Sequence, residues 1–152
     1  MYREDGVLAR LDYEVVCDDT WMTRRGSVRG WLDDRTVDTA IVRSAAGTWS
    51  LNDVAVPGLE ACGDLDLGFT PATNTLQLRR VALAKGQGSD VPVAWLDVGA
   101  GTLTLLAQRY ERRSESAYWY ESPRFGYAAL LELAPTGFVR VYPELWELEP
   151  ER

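Results

Sequence analysis

Alternation with a period of two dominates the chain. Between Val7 and Val15, Val7, Ala9, Leu11, Tyr13 and Val15 interleave with Leu8, Arg10, Asp12 and Glu14. That pattern puts one set of side chains on a core face and the other in water, as in a half-solvated strand. The same reading predicts further strands over 22–32, 36–43, 48–51, 65–69, 76–84, 91–98, 102–110, 117–121, 125–133 and 137–142. Turn chemistry separates them at Asp33-Asp34, Ala46-Gly47, Pro57-Gly58, Gly86-Gln87-Gly88, Gly99-Ala100-Gly101 and Pro135-Thr136-Gly137. Leu59 to Gly63 suits a single helical turn. Leu103 to Arg113 contains helix formers, but Thr102-Leu103-Thr104-Leu105 enters it with β-type residues and Tyr110 continues the alternation, so strand is expected. Short strands at spacings of about 8 to 12 residues predict a mainly β fold with little helix. The expectation is one domain over 1–152, built on a strongly curved antiparallel sheet.

Length and composition narrow the function. The chain has 152 residues, enough to bury one core without metals or disulfides. Its 16 basic and 23 acidic residues leave a net charge of −7, which argues against nucleic acid and anionic membrane surfaces as partners. With no histidine, Ser-His-Asp and Cys-His catalysis and His-ligated zinc are excluded by inventory. Cys17 and Cys62 are too few for a four-cysteine metal site or a disulfide scaffold and read as buried thiols. Neither a cofactor nor a metal is expected. The charged start, Met-Tyr-Arg-Glu-Asp-Gly, lacks the apolar core of a signal peptide, and no run approaches the ~18 apolar residues of a membrane span. A cytoplasmic protein without integral membrane association is therefore expected. Glu144, Glu147, Glu149 and Glu151 read as a solvated acidic tail.

The densest polar constellation runs from Asp64 to Arg80. Alternation puts Asp64 and Asp66 on one side of a strand and Leu65, Leu67 and Phe69 on the other. Two carboxylates on one face, a hydroxyl-rich turn through Thr70, Thr73, Asn74 and Thr75, and Arg79-Arg80 could form an acid/base pair with an anion clamp. The same residues also suit a loop that satisfies its own backbone and Asp–Arg pairs that brace neighbouring strands. Carboxylates two apart on one strand flank a substrate poorly, which disfavours glycosidase chemistry.

The segment resembles the signature of the bacterial putative glycolipid-binding family. The residues that carry the likeness are Asp64-x-Asp66, Phe69-Thr70-Pro71-x-Thr73-Asn74-Thr75-Leu76 and Arg79-Arg80. It extends to Tyr13, Cys17-Asp18, Trp21-x-Thr23-Arg24 and Gly47-x-Trp49 upstream. Downstream it takes in Gln108-Arg109-Tyr110, the Tyr118 to Phe125 stretch and Gly137-Phe138-Val139-x-x-Tyr142-Pro143-x-Leu145. The resemblance implies a spiral antiparallel β-roll like the carriers that cup acyl chains on a concave sheet. It also implies a shortened N-terminal edge, through which copies could self-associate.

The leading expectation is a noncatalytic binding protein that holds a glycolipid or other amphipathic small molecule on the concave face. Its candidate ligand contacts are Trp21, Arg24, Asp64, Asp66, Thr73, Asn74, Arg80, Tyr110, Tyr118 and Tyr120. Trp31, Trp95, Trp119 and Tyr127 are further aromatic candidates for the wall or mouth. Arg24 and Arg80 are the head-group candidates, with ion pairing to Asp18, Asp64 or Asp66 as the structural alternative. The rival functions are a hydrolase or lyase using Asp64, Asp66 and Arg80, and a protein-interaction or self-association module.

Overall fold

The computed structural model describes residues 2–4 and 7–148. Glu149 and Glu151 of the predicted acidic tail lie outside the described residues. The chain opens with an antiparallel meander of six strands: β1 (Tyr2–Glu4), β2 (Val7–Cys17), β3 (Thr23–Leu32), β4 (Arg35–Arg43), β5 (Trp49–Leu51) and β6 (Val54–Val56). The three long strands follow the predicted alternation, and Val28, Val37, Ile41 and Trp49 supply its buried face. Gly30 of β3 faces Leu11 of β2 at φ 146°, where a Cβ would drive into the Arg10 carbonyl.

The chain then builds a small middle sheet and a second large one. The middle sheet joins β7 (Asp64–Leu67), β9 (Val93–Asp97) and β10 (Thr102–Leu106). Between β7 and β9 come helix α1 (Ala72–Val81) and the short β8 (Gly88–Asp90). The third sheet orders β8 beside β11 (Arg109–Arg112), β12 (Ala117–Ser122), β13 (Tyr127–Leu133), β14 (Val139–Tyr142) and β15 (Trp146–Glu147). A 3-10 turn at Pro123–Phe125 links β12 to β13. The mainly β, curved, antiparallel architecture expected from the sequence is present, as sheets left open and not closed into a barrel. Among the described residues no helix is long and apolar enough to cross a membrane.

Three local expectations are corrected. The strand predicted over 76–84 is the C-terminal part of α1 and the chain that follows it, because the segment's buried partners are polar and are met at helical spacing. The strand predicted over 102–110 breaks at Ala107-Gln108, so that Gln108 turns its side chain into the interior. The pairing is not antiparallel throughout: β7 and β9 run parallel, which requires the crossover that α1 and its flanking loops provide.

The middle sheet is covered on both faces. Leu65, Leu67, Ala94 and Leu96 pack against the first sheet's Val28, Ile41 and Trp49. On the other face Val93 and Leu106 join Leu78 of α1 and the third sheet's Tyr110, Tyr118, Tyr120 and Leu131. Parallel pairing is at home in such a doubly covered sheet. Thr23 ties the layers together: its N–H donates to the Gly63 carbonyl at 3.0 Å and its Oγ1 accepts from the Leu65 N–H at 3.0 Å.

Two glycines test the backbone argument. Gly30→Ala forces its Cβ into backbone and is expected to cost about 2 kcal/mol or more in urea unfolding. Gly58→Ala also has a positive φ, 84°, but meets nothing within 4 Å, so only the left-handed strain of about 1 kcal/mol is expected.

Candidate functional site

Strand β7 presents its carboxylates to helix α1, and the register between the two is set by three helical positions. Thr73, Gln77 and Arg80 recur at i, i+4 and i+7, so they share one face of α1. The Thr73 hydroxyl donates to Asp66 Oδ1 at 2.7 Å and Gln77 Nε2 donates to the same oxygen at 3.0 Å. Arg80 grips Asp64 as a fork, with Nε 3.0 and 2.9 Å from the two carboxylate oxygens and Nη2 2.7 Å from Oδ2. Asp64 is wholly buried, whereas the Arg80 side chain reaches solvent.

Behind Asp66 lies a directed network of amides and hydroxyls. The Tyr120 hydroxyl donates to Gln108 Oε1 at 2.8 Å, Gln108 Nε2 donates to Gln77 Oε1, and Gln77 then donates to Asp66. Asn74 Nδ2 donates to the Tyr110 hydroxyl at 2.6 Å, which in turn donates to Gln77 Oε1 at 2.7 Å. Each of these groups is buried and each has a partner, as buried polar groups require.

Burial governs the titration of these groups. It lifts Asp66 to about 6, against the pull of the Thr73 and Gln77 donors, with the nearby Asp64 charge adding to the rise. It also raises Asp64, where desolvation outweighs the opposing hydrogen bond and charge of Arg80. Tyr120 is pushed up to about 12, and Tyr110 and Tyr142 are also raised, in each case chiefly by burial.

In front of Asp66 opens a cavity of about 540 Å³ between the middle and third sheets. Phe69, Trp95, Leu96 and Leu106 line one side, and Tyr120, Ser122, Tyr127 and Tyr142 the other. The rings of Tyr110, Tyr120, Tyr127 and Tyr142 pack in a chain of contacts with centroids 5.1 to 6.1 Å apart. The Tyr127 hydroxyl donates to the Pro143 carbonyl at 2.7 Å, which fixes its ring. Phe125, Leu145 and Trp146 lie at the lip and remain substantially exposed.

Of the ten predicted contacts, Asp66, Asn74 and Tyr120 line the cavity. Thr73 and Tyr110 stand behind them in the network, and Asp64 and Arg80 are spent on each other beside it. Tyr118 is core, with the Arg112 guanidinium over its ring at 5.9 Å. Trp21 lies at the first sheet's tight turn with Arg79 stacked 4.7 Å above it. Arg24 is ion-paired with Asp18 in that same turn. Among the described residues no lysine or arginine lines the cavity. Sequence reasoning did not name Ser122, Phe125, Tyr142, Leu145 or Trp146 as contacts, although the Tyr118 to Phe125 stretch and the Tyr142-Pro143-x-Leu145 element belong to the family likeness. Among the described residues no group of three or more acidic or cysteine side chains gathers to hold a metal.

The two carboxylates give separate predictions. Arg80→Ala strands the buried Asp64 carboxylate and should cost about 3–5 kcal/mol near neutral pH. Asp64→Asn leaves a guanidinium that can turn to water and should cost clearly less, both read by denaturant unfolding. For Asp66 the raised folded-state value means that the native state keeps its proton to about pH 6, while the unfolded chain loses it near 4. Asp66 therefore removes stability as pH rises through that window. The stability of Asp66→Asn relative to the parent should climb by on the order of 2–3 kcal/mol from pH 4 to 7, and a flat difference would refute the assignment.

Comparisons with known proteins agree with this architecture. No curated protein matches the chain. Among solved structures it is similar to a DUF1089 family protein from Pseudomonas aeruginosa, with 27% identity and a TM-score of 0.85 over 95% of this chain and 80% of that one. The model of the family described as putative glycolipid-binding matches residues 1–148, and the chain belongs to that family.

Proposed function

We propose that the protein is a noncatalytic binding protein that holds an amphipathic small molecule, such as a glycolipid, in the cavity between the middle and third sheets. One observation carries the reading: a hollow of about 540 Å³ walled by aromatic and aliphatic side chains, with a few polar groups gathered around Asp66. That size and mixture suit a small-molecule site, where apolar walls supply binding energy and few polar groups set orientation. The family's description supports the same class of ligand.

The hydrolase alternative finds less support. Asp66 faces the cavity, but Asp64 does not line it and is held by Arg80. A general acid and base must both reach the substrate, so this pair cannot share the work.

The protein purified from a heterologous host, extracted with organic solvent and examined by mass spectrometry, should yield a co-purifying amphiphile. In a panel of lipids and glycolipids, at least one should shift the emission of Trp95 and Trp146, which line the cavity. Clean extracts together with no response across the panel would overturn the proposal.

A further inference from the structure

Polar and apolar side chains divide unevenly between the buried part of the cavity and its lip. The buried part combines the apolar Leu67, Leu96 and Leu106 with Asp66 at 9% exposure, Ser122 at 2%, Asn74 and Tyr120. The lip is apolar, with Phe125 at 55%, Leu145 at 66% and Trp146 at 38%. An acyl-chain carrier needs the reverse arrangement, with grease at the bottom and charge at the mouth.

Two acceptors at the floor await a partner. Both hydrogen bonds to Asp66 fall on Oδ1, which leaves Oδ2 to the cavity. Ser122 Oγ is buried with no hydrogen-bond partner among the described residues. An unmade bond at such a hydroxyl is costly, so native structures seldom leave one without a reason. Among the described residues the charged side chains in the lining are Asp66 and Asp97, and the arginines that touch lining residues are already engaged, Arg35 on the Val98 and Gly99 carbonyls and Arg124 on Thr104 and the Trp95 ring. A carboxylate or phosphate at the floor would meet like charge, and an ammonium would have to give up its water for a single buried carboxylate. Tyr120, Tyr127 and Tyr142 line the cavity beside the floor, and an aromatic wall suits the C–H face of a sugar ring.

Resting on the amphiphile reading above, we infer that the ligand enters polar end first, with an uncharged, hydroxyl-bearing head on Asp66 Oδ2 and Ser122 Oγ and its apolar part against Phe125, Leu145 and Trp146. Asp66 and Ser122 then determine head-group specificity. Free sugars and lipid-linked sugars share this head chemistry, and the lip favours those that carry an apolar substituent.

The test compares octyl β-glucoside, glucose, octanoate, octylammonium and 1-octanol by calorimetry, all below micelle-forming concentrations. Octyl glucoside should bind at least about tenfold tighter than the two charged probes and tighter than glucose, the difference worth one or two hydrogen bonds plus lip contact. Asp66→Asn can keep both donors on Oδ1 while it turns an amide into the cavity in place of the acceptor. Ser122→Ala removes a hydroxyl that has no hydrogen-bond partner among the described residues. Each should weaken octyl glucoside about tenfold and leave 1-octanol unchanged, and Ser122→Ala should leave Tm unchanged. Saturation-transfer NMR should mark the sugar ring protons more strongly than the terminal methyl.

If a charged probe binds best, if neither variant affects the glucoside, or if the methyl is the more deeply buried end, the head-first assignment is wrong while the amphiphile reading survives. If glucose binds as well as octyl glucoside, the lip plays no part and the site is one for free sugars. If no amphiphile in this set or the wider panel binds, both readings fail.

Discussion

The architecture depends on how two carboxylates on one strand are taken out of water. Burying a carboxylate without partners costs several kcal/mol, more than most single contacts return. Helix α1 meets that cost at Asp64 and Asp66 together, because Thr73, Gln77 and Arg80 lie on one of its faces in the order the strand requires. A slip of β7 by one residue would present Leu65 or Leu67 to that polar face and turn both charges into the apolar layer against the first sheet. A rotation of the helix by one residue would carry its donors away from the carboxylates. The ionic and amide contacts add little net stability, but they exclude competing registers. The parallel pairing of β7 with β9 and the position of the cavity both follow from that placement.

The same feature explains what the sequence does and does not reveal. Strands β2, β3 and β4 are legible because each has one wet and one dry face, so period-two alternation survives in the letters. Helix α1 is not, because the residues it buries are Thr73, Asn74, Thr75, Gln77 and Leu78, four of them polar. A hydrophobic stripe at period 3.6 never forms, and Leu76, Leu78 and Val81 mimic a strand instead. The overlooked signals were the Thr70-Pro71 start and the paired arginines in the last turn, which are helix-end chemistry. Arg79 and Arg80 do diverge as expected, one over Trp21 and one to Asp64, although helical geometry and not a strand separates them.

The candidate site is legible to a similar depth. Asp66, Asn74 and Tyr120 could be picked out because they combine a polar group with a position in the densest motif or in an aromatic strand. Ser122, Tyr142, Leu145 and Trp146 could not. Their role comes from the third sheet folding over the middle one, a long-range event with no local signature. Arginine posed the opposite problem. In sequence Arg24 and Arg80 look like head-group ligands, yet each has a carboxylate within reach, Asp18 and Asp64, and those nearby partners claim them.

A cavity in this position must be wet before it is filled. Asp66 and Ser122, whose hydroxyl has no partner among the described residues, line a space roomy enough for water, and such a site does not stay dry. Whatever displaces that water has to replace its hydrogen bonds at the floor or lose affinity, while at the lip the displaced water is poorly held and its release favours apolar contact. The two ends therefore select for different chemistry in one molecule, and they do so in a fixed order. A purely apolar ligand gains at Phe125, Leu145 and Trp146 but strands Asp66 and Ser122 if pushed further in, whereas a purely polar one satisfies the floor and gains nothing at the mouth. On the proposed reading, an amphiphile oriented with its polar end inward meets both conditions, and it is the arrangement of the walls, not the volume alone, that favours that class of ligand.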